Sequence, residues 1–465
     1  MENLFRFMRK YVCLLLLSSC LLLKAENQAL SDSAAFHGKV QKGWTFGALP
    51  CIAYDADAGF QYGALANVYY YGDGSTYPNY LHSFYVEASY TTMHYGVFRL
   101  FYDSDYLIPN HRFIFDISYI PNAMSDFLGF NGYTSLMNAN WIEPDADDYK
   151  SKVFYKYQNN LFRVAADIEG RIAGHWKWNA GLGILGYMTG AVNVSMLNKA
   201  RKEGNKLPDV PTLYEEYLDW GIISANEAHG GWHPYLRGGI TYDSRDYRTF
   251  PTKGIYADAF LTYSAAFGNQ TGYNHLKANL NFRHYLSLYR DYAVFAYRVG
   301  AQSLLAGHSP FYMDSYFNTL FLQRELYEAL GGGNSLRGIM CNRILSKGFA
   351  YANIEFRFKL VKFDIAKQHF YIGLNPFLDA GMVIRPAFLD EQALQQIFLE
   401  NPDEYIDDYF DFSPAKLYAP HLSAGIGLKI AMNENFVLSG EWAAPFNKQD
   451  APNLDSFYVK IGYLF

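Results

Sequence analysis

The chain has 465 residues and a formal net charge of -6 at pH 7, which gives no reason to expect a nucleic-acid partner. It contains 41 Tyr and 36 Phe, while charged residues make up only 18%, against about 25% in typical soluble proteins. A mean hydropathy of -0.14 excludes a helical membrane protein, and the composition is typical of an all-β transmembrane barrel whose strands alternate lipid-facing and lumen-facing side chains.

The N-terminus has the features of a targeting segment. Basic residues precede the apolar run Tyr11–Leu23, and Ala25 offers a small-residue cleavage point. This order predicts a secretory signal peptide over residues 1–25. Two alternatives stay open: the run anchors the protein in the membrane, or Cys20 is acylated as in a lipoprotein.

From residue 43 to the end, strand-length segments with period-2 alternation recur, each followed by a turn. In the clearest, every second residue from Phe457 to Phe465 is apolar and suits lipid, while Lys460 lies on the other face. The pattern predicts a 16-stranded antiparallel transmembrane β-barrel over 43–465, after a short periplasmic leader over 26–42. The strands are expected to begin near Gly43, Asp57, Tyr80, Gly96, Arg112, Val153, Gly174, His233, Gly254, Gly272, Tyr292, Gly348, Gln368, Pro420, Asn435 and Asp455.

The longest connections follow strands 5, 7, 11 and 13. They are Pro121–Lys152, Ala191–Trp232, Leu304–Lys347 and Arg385–Ala419. Because all four follow odd-numbered strands, they are expected at one end of the barrel. Outer-membrane barrels show this asymmetry, with long extracellular loops and short periplasmic turns. The sequence therefore predicts localisation in the cell outer membrane.

Two charged stretches lie in these predicted outer loops. Asn401–Asp411 is acidic and is interpreted as a solvated loop, with a calcium site formed by Asp403, Glu404, Asp407 and Asp408 as the alternative. Lys199–Lys206 is basic and is interpreted as solvated, or as a contact for lipopolysaccharide phosphates. Only Cys51 and Cys341 follow the signal peptide, which excludes a disulfide framework or a zinc cluster. No metal and no cofactor are expected.

A glycine-rich segment, Gly331–Arg343, presents Arg337 inside the predicted loop after strand 11. A phosphate-binding Walker loop needs Gly-Lys-Ser/Thr between a strand and a helix, so this segment is not predicted to bind a nucleotide. In the next two strands, alternation places Glu355 and Asp379 on the lumen face. If the loop folds into the barrel, Arg337 can bind both carboxylates, because a guanidinium is a planar fork. The alternative is that Arg337 is solvated.

The segment resembles the loop-six arginine–glycine–aromatic motif of the BamA/TamA family of outer-membrane barrels, also called bacterial surface antigen barrels. Ile339 stands where the family has an aromatic residue. Asn353–Arg357 and Phe377–Gly381 resemble the next two strand motifs. Tyr242–Gly254 resembles the mid-barrel turn, and the C-terminal residue resembles the family's insertion signal. The matching positions are Asp243, Arg245, Asp246, Pro251, Gly254 and Phe465.

The resemblance implies a barrel whose loop six enters the lumen. Its arginine would bind an acid on strand 12 and another on strand 13, a loop-six lock formed by Arg337, Gly338, Glu355 and Asp379. It also implies protein insertion or export, normally with periplasmic POTRA domains, for which residues 26–42 leave no room. The expected partners are outer-membrane lipids and lipopolysaccharide, with unfolded outer-membrane proteins or a separate periplasmic protein as further candidates. The barrel is expected to be monomeric.

Two other functions were weighed. A passive pore or structural barrel would need neither partner nor chemistry. An outer-membrane enzyme is suggested only by Pro420–Gly425, where His421 and Ser423 share a strand face, as a nucleophile and its base require. Ala424 replaces the asparagine found in outer-membrane phospholipases, so we do not predict an enzyme.

Overall fold

The computed structural model describes residues 42–465, apart from 56–58, 77–79, 200, 248–250, 268–271, 317, 319, 323–329, 366–367, 401–403, 433–435, 452–455 and 462–464. The predicted signal peptide and all but the last residue of the predicted leader lie outside the described residues. No described helix is long and apolar enough to cross a membrane.

The fold is a single antiparallel sheet of 17 strands, one of which, Ser125–Asp126, has only two residues. Every long strand begins within three residues of its predicted start, because alternating and turn-forming residues mark the strands locally. The long strands are β1 (Trp44–Asp55), β2 (Gly59–Tyr70), β3 (His82–Thr91), β4 (Gly96–Ile108), β5 (His111–Ile120), β6 (Lys156–Ala173), β7 (Trp176–Gly190), β8 (Gly231–Asp243), β9 (Gly254–Ser264), β10 (His275–Tyr289), β11 (Ala293–Gly307), β12 (Gly348–Ile365), β13 (Gln368–Arg385), β14 (His421–Met432), β15 (Phe436–Pro445) and β16 (Ser456–Ile461).

Each long strand pairs with the next in the chain. The first and last strands also pair, but among the described residues only Tyr54 is in register with Val459. By contrast, β1 pairs with β2 over its whole length, from Trp44 with Tyr70 to Asp55 with Gly59. The all-β antiparallel fold is confirmed, while the strand count of a closed barrel stays a prediction. We call the β1–β16 contact the seam.

Side-chain burial follows the predicted alternation. On β12, Glu355 and Arg357 are buried, whereas Phe356 between them is exposed. On β13, Leu378 is exposed and its neighbour Asp379 is fully buried. The apolar side chains that face outward therefore form the lipid-facing surface expected of a membrane barrel.

The long connections after β5, β7, β11 and β13 pack together around one apolar cluster. Each contributes buried aromatic residues, such as Phe127, Tyr214, Phe311 and Phe410. These four loops therefore lie at the same end, as their parity predicts, and we call this assembly the cap. The helices within them are α1 (Val194–Asn198), α2 (Leu213–Asp219), α3 (Phe311–Asp314), α4 (Glu391–Glu400), α5 (Ile406–Tyr409) and α6 (Pro414–Leu417).

Candidate functional site

Loop six, the connection from β11 to β12 (residues 308–347), packs against the inward-facing side chains of the sheet. Leu336, Ile339 and Ile344 are fully buried in an apolar cluster that includes Tyr351 of β12 and Val383 of β13. Ile339, where the BamA/TamA motif has an aromatic residue, thus anchors the loop by packing. Cross-strand packing of this kind excludes water from the neighbouring Arg337, whose side chain has no exposed surface.

Arg337 binds Asp379 of β13 through three hydrogen bonds. Its Nε donates to Asp379 Oδ2 at 2.8 Å and its Nη2 donates to Oδ1 at 2.9 Å, which is the two-bond fork typical of arginine with a carboxylate. The backbone N–H of Arg337 also donates to Oδ2, at 3.0 Å. The predicted approach of Arg337 to Asp379 is therefore present in the structure, and it fixes the loop backbone as well as the side chain.

Two further acids complete the charge balance. Arg337 Nη1 donates to Glu355 Oε1 at 2.6 Å and to Glu441 Oε1 at 3.3 Å. Glu355 is also held by Arg357 at 2.8 Å, and Glu441 by Lys429 at 2.8 Å. Buried charges of both signs are thus interleaved, as low-dielectric surroundings require.

Sequence reasoning missed Glu441. It lies on β15, more than a hundred residues after Arg337 in the chain, and the family motifs do not include it. Alternation was the one available signal: Ser439, Glu441 and Ala443 of β15 are buried, whereas Leu438 and Trp442 are exposed. Alternation therefore predicts a carboxylate on the lumen face of β15, but it does not predict which residue that carboxylate binds.

Beneath the guanidinium lies the ring of Phe377, whose centroid is 3.4 Å from Arg337 Cζ. Phe377 is in register with Gly425 of β14, and a Cβ at Gly425 would overlap the ring. Gly381 similarly leaves room for Leu336, which a Cβ there would meet at 2.5 Å. Phe377, Asp379 and Gly381 thus each have a separate role beside loop six, which accounts for their two-residue spacing on one strand face.

Gly425→Ala is expected to destabilise the barrel, because the new Cβ would overlap both the Trp442 carbonyl of β15 and the Phe377 ring beneath Arg337. Overpacking of this kind costs about 1–3 kcal/mol. Denaturant unfolding in detergent would measure it, with Gly190→Ala as the control, because a Cβ at Gly190 meets nothing within 4 Å. Equal stability of the two variants would contradict this role for Gly425.

Gly338, the second residue of the predicted lock, adopts the left-handed conformation with φ +83°. Its backbone N–H donates to the hydroxyl of Tyr458 on β16 at 3.1 Å. A Cβ there would meet Ala443 at 3.0 Å. Glycine is therefore favoured both by the backbone angle and by the close approach of loop six to the last strands.

The predicted mid-barrel turn is a separate, locally stabilised element between β8 and β9. Arg245 Nε pairs with Asp243 at 2.9 Å, and Asp246 accepts from the backbone N–H of Thr252 at 3.0 Å. Gly254 has φ +105°, and a Cβ there would overlap the backbone of Ser244. Pro251 is buried beside these residues. These contacts account for the turn as structure, and they do not include the arginine of loop six.

Phe465 departs from the expected position. Alternation from Phe457 places it on the lipid face, yet it is 91% buried against inward-facing residues. Arg298 and Arg357 lie over its ring at 5.1 Å and 5.0 Å, and Arg357 also donates to its backbone oxygen. The described part of β16 ends at Ile461, and alternation predicts a face only while a strand continues. The role of Phe465 as an insertion signal stays a prediction.

The first part of loop six, which includes Asp314 and Phe321, contacts strands β8, β9 and β10. The backbone N–H of Phe321 donates to Asp258 of β9 at 2.8 Å, and Arg237 of β8 lies over the Phe321 ring at 4.6 Å. Asp314 accepts from Lys277 of β10 at 2.9 Å. Loop six therefore contacts two groups of strands: β8, β9 and β10 through its first part, and β12, β13 and β15 through Arg337.

The other sequence candidates do not form sites. His421 Nδ1 lies 2.5 Å from Asp450, while the hydroxyl of Ser423 has no hydrogen-bond partner among the described residues. The pair required for nucleophilic catalysis is thus not formed. Within the described part of the chain no group of His, Cys, Asp and Glu has the geometry of a metal site, and Asp403 lies outside that part. Lys199, Lys202 and the other described cations of the basic stretch are exposed.

A partly buried ion cluster connects three loops of the cap. Lys150 Nζ lies 3.4 Å from Glu216 of α2 and 3.4 Å from Glu404, and it also donates to the Tyr409 hydroxyl. Its ammonium lies 4.4 Å from the ring centroid of Trp141, a cation–π contact. Burial, with a smaller contribution from Glu404, raises the pKa of Glu216 from 4.5 to about 7 against the opposing effect of Lys150.

Cap stability is expected to fall as the pH rises from about 5 to 8. Because the pKa of Glu216 is higher in the folded cap than the ordinary 4.5, its contribution is fully present below about 4.5 and is lost through about 7. Glu216→Gln should flatten this dependence, measured by urea unfolding at several pH values. The exposed Glu143→Gln is the control, and an unaltered pH profile for Glu216→Gln would disprove the assignment.

Comparison with known proteins agrees with this architecture. The Omp85 superfamily domain matches residues 83–465. The structure of BamA from Haemophilus ducreyi lacking POTRA domains 1-3 is similar, with 15% identity, a TM-score of 0.51, and coverage of 91% of this chain and 70% of that one. CdiB from Escherichia coli has 10% identity, a TM-score of 0.53, and coverage of 91% and 63%. At these identities the likeness concerns the fold. No curated protein matches the chain. The chain belongs to the Omp85 superfamily of outer-membrane β-barrels.

Proposed function

We propose that this protein inserts or exports polypeptides at the outer membrane, with loop six fastened in the lumen by Arg337. The observation that carries the proposal is the binding of one fully buried arginine by acids of three different strands, Asp379, Glu355 and Glu441. A barrel whose seam opens to a substrate strand would need such a fastening to keep its shape.

The seam supports the same proposal. Among the described residues, β1 and β16 share the single register pair Tyr54–Val459, whereas β15 and β16 share six. Unpaired strand edges accept an additional strand by main-chain hydrogen bonding. An unfolded outer-membrane protein, whose strands carry the same alternation, is the substrate class that fits such an edge.

A passive pore is the weaker alternative. A water-filled channel leaves its lumen-facing side chains hydrated, whereas here Arg163 and Arg298 are almost fully buried and Asn353 entirely so. Asn353 donates to the Ser335 carbonyl of loop six at 2.9 Å, and Arg298 donates to the same oxygen at 3.3 Å. Loop six thus occupies space that an open pore would need.

The test is an insertion assay. The purified barrel is placed in liposomes, and the folding rate of a urea-unfolded small outer-membrane protein is followed. We expect a faster rate than in empty liposomes, and loss of the acceleration in Arg337→Ala but not in the exposed Arg201→Ala. If the wild-type barrel does not accelerate folding, insertion by the barrel alone is wrong. The same assay repeated with periplasmic extract then distinguishes a partner-dependent barrel from a pore.

A further inference from the structure

Loop six carries a second buried arginine, Arg343, six residues after Arg337. Its side chain has no exposed surface. The loop turns at Asn342, which has a φ of +60°, and the amide of Asn342 donates to the Asp126 carbonyl at 2.8 Å. Arg343 is thereby directed away from the acids around Arg337 and toward the cap.

Arg343 binds two other loops. Its Nε donates to the Gln449 carbonyl at 2.8 Å and lies 3.5 Å from Asp450 Oδ1, both in the β15–β16 connection. Its Nη1 donates to the Gly132 carbonyl at 2.8 Å, in the loop after β5. One guanidinium therefore joins loop six to two loops that are distant in sequence.

Asp450 is the matching acid, and it is also fully buried. Its Oδ2 accepts from the Tyr133 hydroxyl at 2.5 Å, its Oδ1 lies 2.5 Å from His421 Nδ1, and its carbonyl accepts from Met340 of loop six at 2.8 Å. The rings of Tyr133 and His421 stack at 3.8 Å. Buried hydrogen-bond networks of this kind hold their members in place. Removing Arg343 or Asp450 leaves the opposite charge buried without its ionic partner.

The β15–β16 connection leads into β16, one side of the seam. Loop six contacts β16 itself as well: Gly338 donates to Tyr458, and Lys460 donates to the Gly333 carbonyl. Since β16 has a single described register pair with β1, its position depends on β15 and on loop six.

We propose that Arg343 and Asp450 form a second anchor of loop six, a pair of positioning residues that hold the β15–β16 connection, and with it the start of β16, against the loop. The role of this anchor is to keep one side of the seam in place, and that role rests on the proposed function. It differs from the contacts of Arg337 in its acid, its loops and its position near the cap.

The test uses Lys448, an exposed trypsin site two residues before Asp450. The barrel is reconstituted in liposomes, and tryptic cleavage after Lys448 is followed by mass spectrometry. Asp450→Asn and Arg343→Gln are each expected to raise the cleavage rate at least tenfold, because the connection is released. The matched control is Asp407→Asn, an exposed carboxylate in the cap, which should leave cleavage unchanged.

A second readout reports the seam. Cysteines replace Tyr54 and Val459, the register pair, in a chain whose Cys51 and Cys341 are changed to serine. We expect a lower disulfide yield in Asp450→Asn than in the control, and no further loss when Arg343→Gln is added, because the two residues act as a unit. Heat-modifiable gel migration verifies that each variant is folded.

Unchanged cleavage and unchanged disulfide yield in folded Asp450→Asn would overturn the second anchor. Tyr133→Phe provides a milder variant should Asp450→Asn not fold, and an increase in cleavage is expected there too, because Asp450 loses one hydrogen bond. None of these readouts depends on insertion activity. Failure of the insertion assay would therefore leave the anchor standing, and the reverse also holds.

Discussion

Arg337→Ala is expected to lower the free energy of unfolding by about 3–5 kcal/mol, the typical cost of removing one partner from a buried ion pair. The substitution removes the two guanidinium donors of Asp379, leaving only the backbone N–H, and it removes a favourable charge from Glu355 and Glu441. It also opens a cavity above Phe377. The barrel itself should still form, since its strand ladder does not include Arg337.

The measurement is urea unfolding in detergent, together with the temperature at which the folded band is lost on gels. Arg201→Ala serves as the control, because within the described part of the chain the side chain of this exposed arginine makes one long contact, to the Asn205 carbonyl at 3.4 Å. Arg337→Lys should recover little, since an ammonium cannot serve acids on three strands at once. Unfolding of Arg337→Ala at the wild-type urea concentration would contradict the buried lock.

Asp379→Asn is expected to be the second most damaging change, at about 2–3 kcal/mol, in the range of hydrogen bonds to charged groups. The amide keeps the shape of the carboxylate, but it loses the charge and turns a donor toward the donors of Arg337. Glu441→Gln should loosen loop six less, because Glu441 makes one longer contact with Arg337, at 3.3 Å, and its closer partner is Lys429, at 2.8 Å.

The same unfolding assay ranks the variants, with the exposed Asp407→Asn as the control. Susceptibility of loop six to added protease provides an independent measure, since release of Arg337 frees the loop backbone bound through its N–H. If loop six became more susceptible to protease in Glu441→Gln than in Asp379→Asn, the hydrogen bonds to Asp379 would not be the main attachment of the loop.

Much of the site was readable from local patterns and from family resemblance. Alternation placed Glu355 and Asp379 on the lumen face, and the structure brings both to Arg337. Glu441 was missed because alternation assigns a face to a residue but no partner. Asp450 was missed for the same reason: His421 was weighed with Ser423, its neighbour on one strand, whereas its partner lies in another loop.

Phe465 shows where local periodicity ends. A period of two follows from the pleat of a paired strand, so it predicts a face only as far as the pairing continues. The tertiary structure places this residue against Arg298 and Arg357 instead of lipid.

The sequence by itself determined the strands, their two faces and the end of the barrel to which the long loops belong, because these follow from short-range alternation and from strand parity. Only the tertiary structure decided that Glu441 joins Glu355 and Asp379 around Arg337, that Arg343 joins loop six to the β15–β16 connection, and that the cap shares one apolar cluster. Each of these contacts depends on the path of a long loop among strands that are far apart in the chain. That path is determined by the packing of Leu336, Ile339 and Ile344 and by the pairing of buried charges. Neither the packing nor the pairing follows a repeating pattern in the sequence.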